Sequence, residues 1–365
     1  MANTDQSQNE LCNRAIEAEL AGDPQAALPL YRQAINVNRG NPVPYLFLGY
    51  LRHGLQDSEA AVQAWSLAAD LDPRVLNAWR SDTVAADIRQ RSKLADRELR
   101  RHFTRLHKSA IAAYASEHPD ANVERAEAAI WCQTHDEEFQ FNHPEQRPHL
   151  FFVPGISSIP VYDESHLAWK SLLESSFEAI RTEFLAARTN AAAEQRPYLE
   201  PRAAWLGDDW KPIADSLNWG SYQLYRKGKG NDALIRRFPE TLRIIGQLPI
   251  IEGLQGPREV VFSVLQGKQR IPPHYGVSNT DMTVHLPIIT TEDSAIRVVQ
   301  HVHHWQTGKV FAFDDAFEHE SWNNSSQPRV NLIFEVWHPE LTRHEQAAIS
   351  ATFDARDRWN QTRTI

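Results

Sequence analysis

KVFAFDDAFEHESWNN, residues 309–324, followed closely by RVNLIFEVW at 329–337, decides the fold. Each is a short apolar and aromatic run bounded by Gly, Asp, Asn or Pro. The runs before them read the same way: REVVFSVLQ (258–266), MTVHLPII (282–289) and AIRVVQHVHHW (295–305). Several short strands with turn residues at this spacing predict an antiparallel sandwich or barrel. Further out, prolines cluster at Pro144, Pro148, Pro154 and Pro160, and one helical interlude is expected over about 164–190.

The N-terminal third is of a different kind. Asp23, Ala26, Ala27, Tyr31, Ala34 and Asn38 recur as Asp57, Ala60, Ala61, Trp65, Ala68 and Asp72, a period of 34 residues. That period belongs to tetratricopeptide repeats, in which alanines let paired helices approach and one aromatic fills the gap. With about two units the repeats are expected to pack on the domain C-terminal to them; docking a protein partner is the competing reading. Residues 76–118 carry mixed charge with no internal Gly or Pro and are read as one long connecting helix. The expected organisation is α+β: helical TPR-like repeats with a connecting helix over 1–118, a double-stranded β-helix of the jelly-roll or cupin kind over 145–345, and a helical tail over 346–365.

Composition narrows the function. With 38 Lys and Arg against 47 Asp and Glu, the formal net charge is -9, which argues against a basic nucleic-acid surface. The two cysteines, Cys12 and Cys132, lie far apart and outside any CxxC pattern, so neither a disulfide framework nor a thiolate zinc site is expected. No run reaches the length of a membrane span and MANTDQSQNE has no apolar segment, so a cytoplasmic protein without a membrane span is the expectation. Histidines number 16. Two or three imidazoles on facing strands can build an open metal site, and neutral imidazole is the commonest transition-metal ligand where thiolates are lacking. His274 in PPHYG and His319 in FEHESW are the pair that a jelly-roll can return to adjacent strands. Arg329 leads into an apolar run, and an arginine directed into a barrel needs a carboxylate, for which its planar fork suits a bidentate grip. His301, His303 and His304 are read as a solvent-facing stripe.

The stretches PHYGVSN, VHLPI, GKVFAFDDAFEHESWNN and VNLIFEVWHPEL, in an order running from QRPHLFFVPG (146–155) through FPET (238–241) to EVWHPEL (335–341), resemble the aspartyl/asparaginyl β-hydroxylase family over about half of the chain. The resemblance implies a dioxygenase dependent on Fe(II), 2-oxoglutarate and O2. His274 and His319 match its two iron ligands. Where many such oxygenases carry a third, acidic ligand this chain has Gly276, so water would fill the place. Arg329 matches the arginine on the distal carboxylate of 2-oxoglutarate, with Ser263 beside it, and His285 matches the histidine on the other carboxylate. Asp315 matches an acidic residue close to the metal. Trp219 matches a tryptophan lining the substrate side.

The departures concern the substrate. Members that act on acidic residues carry arginines two and four positions before the strand histidine, where this chain has Thr283 and Asp281. Losing two cations and gaining an anion leaves a substrate carboxylate poorly compensated. The expected substrate is therefore an amino acid, free or carrier-bound, a peptide or a small metabolite, hydroxylated at an unactivated carbon, with succinate and CO2 as co-products. The small residue at 276 also leaves halogenation conceivable. The alternative from another class is a repeat-based adaptor whose oxygenase-like domain only binds a ligand.

Overall fold

A computed structural model describes residues 2–253 and 256–365. It divides into two compact units. One comprises Met1–Ala112, Gln133–Glu138 and Ala355–Ile365, the other Ala113–Cys132 and Phe139–Asp354.

The first unit opens with two helical hairpins, α1 (Ala2–Leu20) with α2 (Pro24–Val37) and α3 (Pro42–Gly54) with α4 (Ser58–Leu71). The 34-residue repeat has a direct structural meaning here. Asp23 and Asp57 cap α2 and α4, their carboxylates accepting from the amides of Ala26 at 3.0 Å and Ala60 at 3.3 Å. Tyr31 and Trp65, the paired aromatics, are wholly buried among Ala27, Ala34, Ala61 and Ala68. A Cβ on Gly49 would lie 2.4 Å from the Trp65 indole nitrogen, so the two helices touch through a glycine. The long helix expected from residue 76 begins later, as α5 (Ala86–Glu117). Ahead of it the chain makes two short 3₁₀ turns, Pro73–Leu76 and Ala78–Arg80. Ser92 on α5 holds them there: its hydroxyl donates to Val75 O at 2.7 Å and accepts from the Trp79 amide at 3.3 Å. Those backbone groups are satisfied without a continuous helix.

The second unit is built on two antiparallel sheets. Its principal strands are β1 (Trp219–Arg226), β2 (Glu259–Leu265), β3 (Gln269–His274), β4 (Asp281–Ile289), β5 (Ser294–Val298), β6 (His301–His304), β7 (Phe311–Phe313), β8 (His319–Asn323) and β9 (Arg329–Trp337). The larger sheet runs β7-β4-β9-β2-β1, extended at the β1 edge by two short strands. The smaller runs β6-β5-β8-β3. Side chains alternate across a strand, and the burial of β2, β4 and β9 shows where each face goes. Val260, Phe262, Val264, Val284, Leu286, Leu332, Phe334 and Val336 form one apolar face. It packs under α6 (Lys170–Ser175), α7 (Phe177–Asn190) and α8 (Pro239–Ile245) through Leu173, Ile180, Phe184 and Ile244. The interlude expected at 164–190 is α6 and α7, interrupted at Ser176. The opposite face, bearing Ser263, Thr283, His285, Arg329 and Asn331, is turned to the smaller sheet, which it meets where Arg329 donates to Ser321 on β8 at 3.1 Å. The chain ends in α9 (Arg343–Thr362).

The proline-rich segment before the sheets straps the loops beside the expected ligands. Leu150 and Phe151 both donate to Val277 O, and Arg147 donates to Ala316 O at 2.7 Å. Asn279 closes on Val153 with a reciprocal pair, accepting from its amide at 2.8 Å and donating to its carbonyl at 2.9 Å. No helix among the described residues is long and apolar enough to cross a membrane.

Candidate active site

His274 ends β3 and His319 starts β8, and the antiparallel register sets them directly opposite each other. Their rings lie 4.0 Å apart, centre to centre. Each Nδ1 faces a backbone carbonyl two residues back, Pro272 O at 2.7 Å for His274 and Phe317 O at 2.9 Å for His319. Since a carbonyl only accepts, Nδ1 carries the proton and the Nε2 lone pair of both rings is left for a ligand. Burial pushes the His274 pKa down and that of His319 well down, the second lowered further by the first. Both rings are therefore held neutral, the form that binds metal. Trp210 covers His274 edge-on at 5.6 Å.

Gly276 leaves no vacancy. A Cβ there would lie 1.9 Å from Asp315 Oδ1 and 2.0 Å from its Cγ, so the Asp315 carboxyl group occupies the space a side chain at 276 would take. The Gly276 amide also donates to Asp315 O at 2.5 Å. Asp315 Oδ1 is buried without a hydrogen-bond partner, and burial together with Asp281 and Glu335 raises its pKa well above the carboxylate range. The neighbouring Asp314 points the other way, bound by Gln146 Nε2 at 2.5 Å and the Ala316 amide at 2.8 Å, with its pKa raised by burial to about 7. Among the described residues no group of three or more His, Cys, Asp or Glu is arranged to hold a metal ion. What the sheets bring together at this point is a pair of imidazoles.

The third part is a cation with no anion. Arg329 is 1% exposed and makes no ion pair among the described residues. Its Nη2 donates to Ser321 Oγ, while its Nε is buried without a partner. Asn331, with its amide oxygen turned to Arg329, accepts from Nη1 at 3.2 Å and donates to Val330 O at 3.1 Å. The same end of that amide lies 3.3 Å from His285 Nδ1. Burial lowers the Arg329 pKa to about 10, still charged at neutral pH, and burial with the nearby guanidinium pushes His285 well below its usual value. A buried charge without a counterion is costly. A site that tolerates one is made for an anion.

Ser263 and Trp219 complete this end. Trp219 Nε1 donates to Ser263 Oγ at 3.0 Å, which leaves the hydroxyl proton free to donate elsewhere. The indole stacks on Tyr198 at 4.1 Å, so Trp219 is a buried apolar wall. Asp281 and Thr283 share the sheet face of His285. Asp281 is not bare: Arg258 Nη2 donates to its Oδ2 at 2.7 Å, Arg258 Nε donates to Glu335, and burial still lifts the Asp281 pKa to about 6. The stripe on β6 lies at the surface, with His301 and His304 exposed and His303 half-buried against Phe311. Arg258, Glu335, Asn331 and Trp305 were not singled out from the sequence. Asn331 and Glu335 could have been, since alternation along β9 puts both on the face of Arg329. Arg258 and Trp305 carry no such signal. Trp305 is buried with its indole N–H unpartnered, 5.1 Å from the His285 ring and 5.5 Å from the Arg329 guanidinium.

Paired neutral imidazoles and a buried guanidinium without an ion-pair partner among the described residues thus lie on two antiparallel sheets that meet through Arg329 and Ser321. Residues 174–339 match the model of the family described as Aspartyl/Asparaginyl beta-hydroxylase. The human aspartyl/asparaginyl beta-hydroxylase is 28% identical over 233 residues, 63% of this chain and 29% of the human one. The ornithine lipid ester-linked acyl 2-hydroxylase of Rhizobium tropici is 30% identical over 183 residues, 49% of this chain and 61% of its own length. The chain thus spans between about a third and three fifths of these relatives. A solved prolyl-4-hydroxylase of Pseudomonas putida overlays 49% of this chain and 93% of its own, at 13% identity and a TM-score of 0.29, too distant to carry weight.

Proposed function

We propose that the second unit is a double-stranded β-helix dioxygenase that uses Fe(II), 2-oxoglutarate and O2 to hydroxylate an unactivated carbon. The observation that carries this reading is Arg329: a fully buried guanidinium with no carboxylate partner, on the same sheet face as His285 and across from the histidine pair. The donor set fits the metal. His274 and His319 would hold it through Nε2, and two imidazoles leave positions for a keto acid and dioxygen. When bound, Fe(II) with 2-oxoglutarate and O2 supplies the oxidising power for C–H hydroxylation, with succinate and CO2 as co-products.

The chain's own residues bind and orient. Arg329 offers the paired N–H groups that grip a carboxylate bidentately, Ser263 offers a hydroxyl proton beside it, and His285 addresses the co-substrate's other carboxylate. The backbone carbonyls of Pro272 and Phe317 fix the tautomer and orientation of both ligand rings. Asp315 is the acidic group at the metal side, orienting ligands or water. Its carboxyl fills the space beside Gly276 and leaves no room there for a halide, so hydroxylation is favoured over halogenation. Trp219 walls the pocket, and Asp281 and Thr283 line its substrate end. The related enzymes are named for hydroxylating aspartyl or asparaginyl groups and a lipid acyl chain; here the β-carbon of an amino acid, free, carrier-bound or in a peptide, is the proposed target. The TPR-like repeats recruit substrate or another protein partner, and the protein acts in the cytoplasm.

Calorimetry with 2-oxoglutarate in the presence of Mn(II) tests this first, and succinate formation with Fe(II), ascorbate and air tests it second, with His319→Ala as control. Binding that is lost on changing Arg329 is the expected result. No 2-oxoglutarate binding and no iron-dependent turnover would leave the adaptor reading in its place.

A further inference from the structure

The inner face of the large sheet is electrically polarised along its length. Arg329 and Glu335 both lie on β9 and on the same face, six residues apart, which at about 3.3 Å per residue is roughly 20 Å. At the Arg329 end there is an unpaired cation. At the Glu335 end the balance reverses. Asp281 and Glu335 share the single guanidinium of Arg258, so two carboxylates meet one cation and the cluster is left with a formal charge of one minus two, or −1. Thr280 donates to the remaining Asp281 oxygen at 3.1 Å. Asp315 adds a further carboxyl group nearby, with Oδ1 unpartnered.

A separate observation marks this end as a place for a ligand. Thr283 is only 7% exposed, yet its hydroxyl has no hydrogen-bond partner. It stands on β4 between Asp281 and His285, and the register pairs it with Glu335, so the hydroxyl opens onto the carboxylate cluster. A buried unpaired hydroxyl costs about 1–3 kcal/mol in general, which a ligand group placed there would recover.

We propose that the substrate of this site presents a cationic group, an ammonium or a guanidinium, which is recognised by Asp281, Glu335 and the Thr283 hydroxyl. The inference rests on the hydroxylase reading and names its substrate class. An acidic group is poorly served by the same geometry. Arg258 has already committed Nε to Glu335 and Nη2 to Asp281, so its charge is shared between two carboxylates before any substrate arrives, and the surrounding charge is negative. A dianionic co-substrate at the Arg329 end and a cationic substrate at the Glu335 end each meet the pole that complements them. Like charges at either end are discriminated against.

The test uses the full chain loaded with Mn(II) and 2-oxoglutarate. Binding of 2-oxoglutarate is measured first, so that its absence, which sinks the hydroxylase reading, is separated from a failure of substrate recognition. Calorimetry is then run with three matched probes: N-acetyl-lysine methylamide, N-acetyl-norleucine methylamide and N-acetyl-aspartate methylamide. The lysine probe is expected to bind at least about tenfold tighter than either of the others, with the advantage shrinking as salt is raised. Glu335→Gln is expected to erase about tenfold of that affinity while 2-oxoglutarate binding holds. An aspartate probe that binds as well as the lysine one, a lysine probe no better than norleucine, or no binding of any probe to a chain that holds 2-oxoglutarate overturns the proposal. Should Glu335→Gln fail to fold, the probe comparison on the unaltered chain decides alone.

Discussion

The two faces of the large sheet come from the same strands and serve opposite ends. On β9, Val330, Leu332, Phe334 and Val336 are packed beneath helices, while Arg329, Asn331 and Glu335 one step away face the pocket. The helix-side face is filled with apolar side chains: Phe262 is wholly buried, with Phe184 stacked and Phe238 tilted about 5 Å from it. The pocket face is buried too, but its polar atoms are incompletely paired, as Arg329 Nε, Thr283 Oγ1 and Asp315 Oδ1 show. Burial by itself therefore does not separate core from site. The clustering of such orphan groups around Arg329, Thr283 and Asp315 does, because one bound ligand set would complete them together.

Variants that break this contrast should rank in a definite order. The largest effect is expected for His319→Ala, which removes half of the donor set: iron-dependent succinate formation should fall by more than about a hundredfold, read beside the thermal midpoint to show that folding survives. Next is Arg329→Met, where the two properties should move apart. Loss of a buried charged partner should weaken 2-oxoglutarate binding by about 2–5 kcal/mol, while removal of an unpaired buried charge should leave the ligand-free chain as stable or more so. Calorimetry and denaturant unfolding measured on one preparation check it; parallel losses in both would show that Arg329 is merely structural.

Phe262→Ala should do the reverse. It should cost about 3–5 kcal/mol of stability and leave 2-oxoglutarate affinity per folded molecule nearly unchanged, so unfolding curves and calorimetry again supply the comparison. The smallest effect concerns pH. Burial raises the Asp314 pKa from the ordinary carboxylate range to about 7, so the folded state holds its proton more tightly than the unfolded one. Its contribution to stability is full below the unfolded value and is lost as pH rises towards the folded one. His285 and His319 are depressed and act oppositely, losing their contribution as pH falls below the unfolded value near 6.5. Asp314→Asn should therefore remove a downward slope of thermal midpoint between about pH 4 and 7 and leave the histidine slope uncovered; an unchanged profile would show that Asp314 does not titrate there.

Much of this was legible in the chain. The 34-residue repeat announces the helical hairpins because Asp23 and Asp57 act as caps and Tyr31 and Trp65 as fillers, all local or near-neighbour roles. His274, His319 and Arg329 stand out because their flanking strands and turns have recognisable compositions. The helix start at Ala86 was missed because it depends on Ser92 holding residues 75 and 79, a side-chain contact that propensity does not encode. Arg258 and Trp305 were missed for the same reason: neither lies in a motif, and their roles exist only once β4 and β9 are side by side.

Sequence alone determined the strand-rich second half and the helical repeat, which are properties of residue type, periodicity and spacing, while His274, His319 and Arg329 were marked by their resemblance to a family's motifs. The tertiary structure decided how the parts are balanced. It put the Asp315 carboxyl where Gly276 left room, withheld a counterion from Arg329, and gave Asp281 and Glu335 one cation between them. Pairing of charges across strands depends on register and on which face each side chain takes, and those are fixed only when the sheets close.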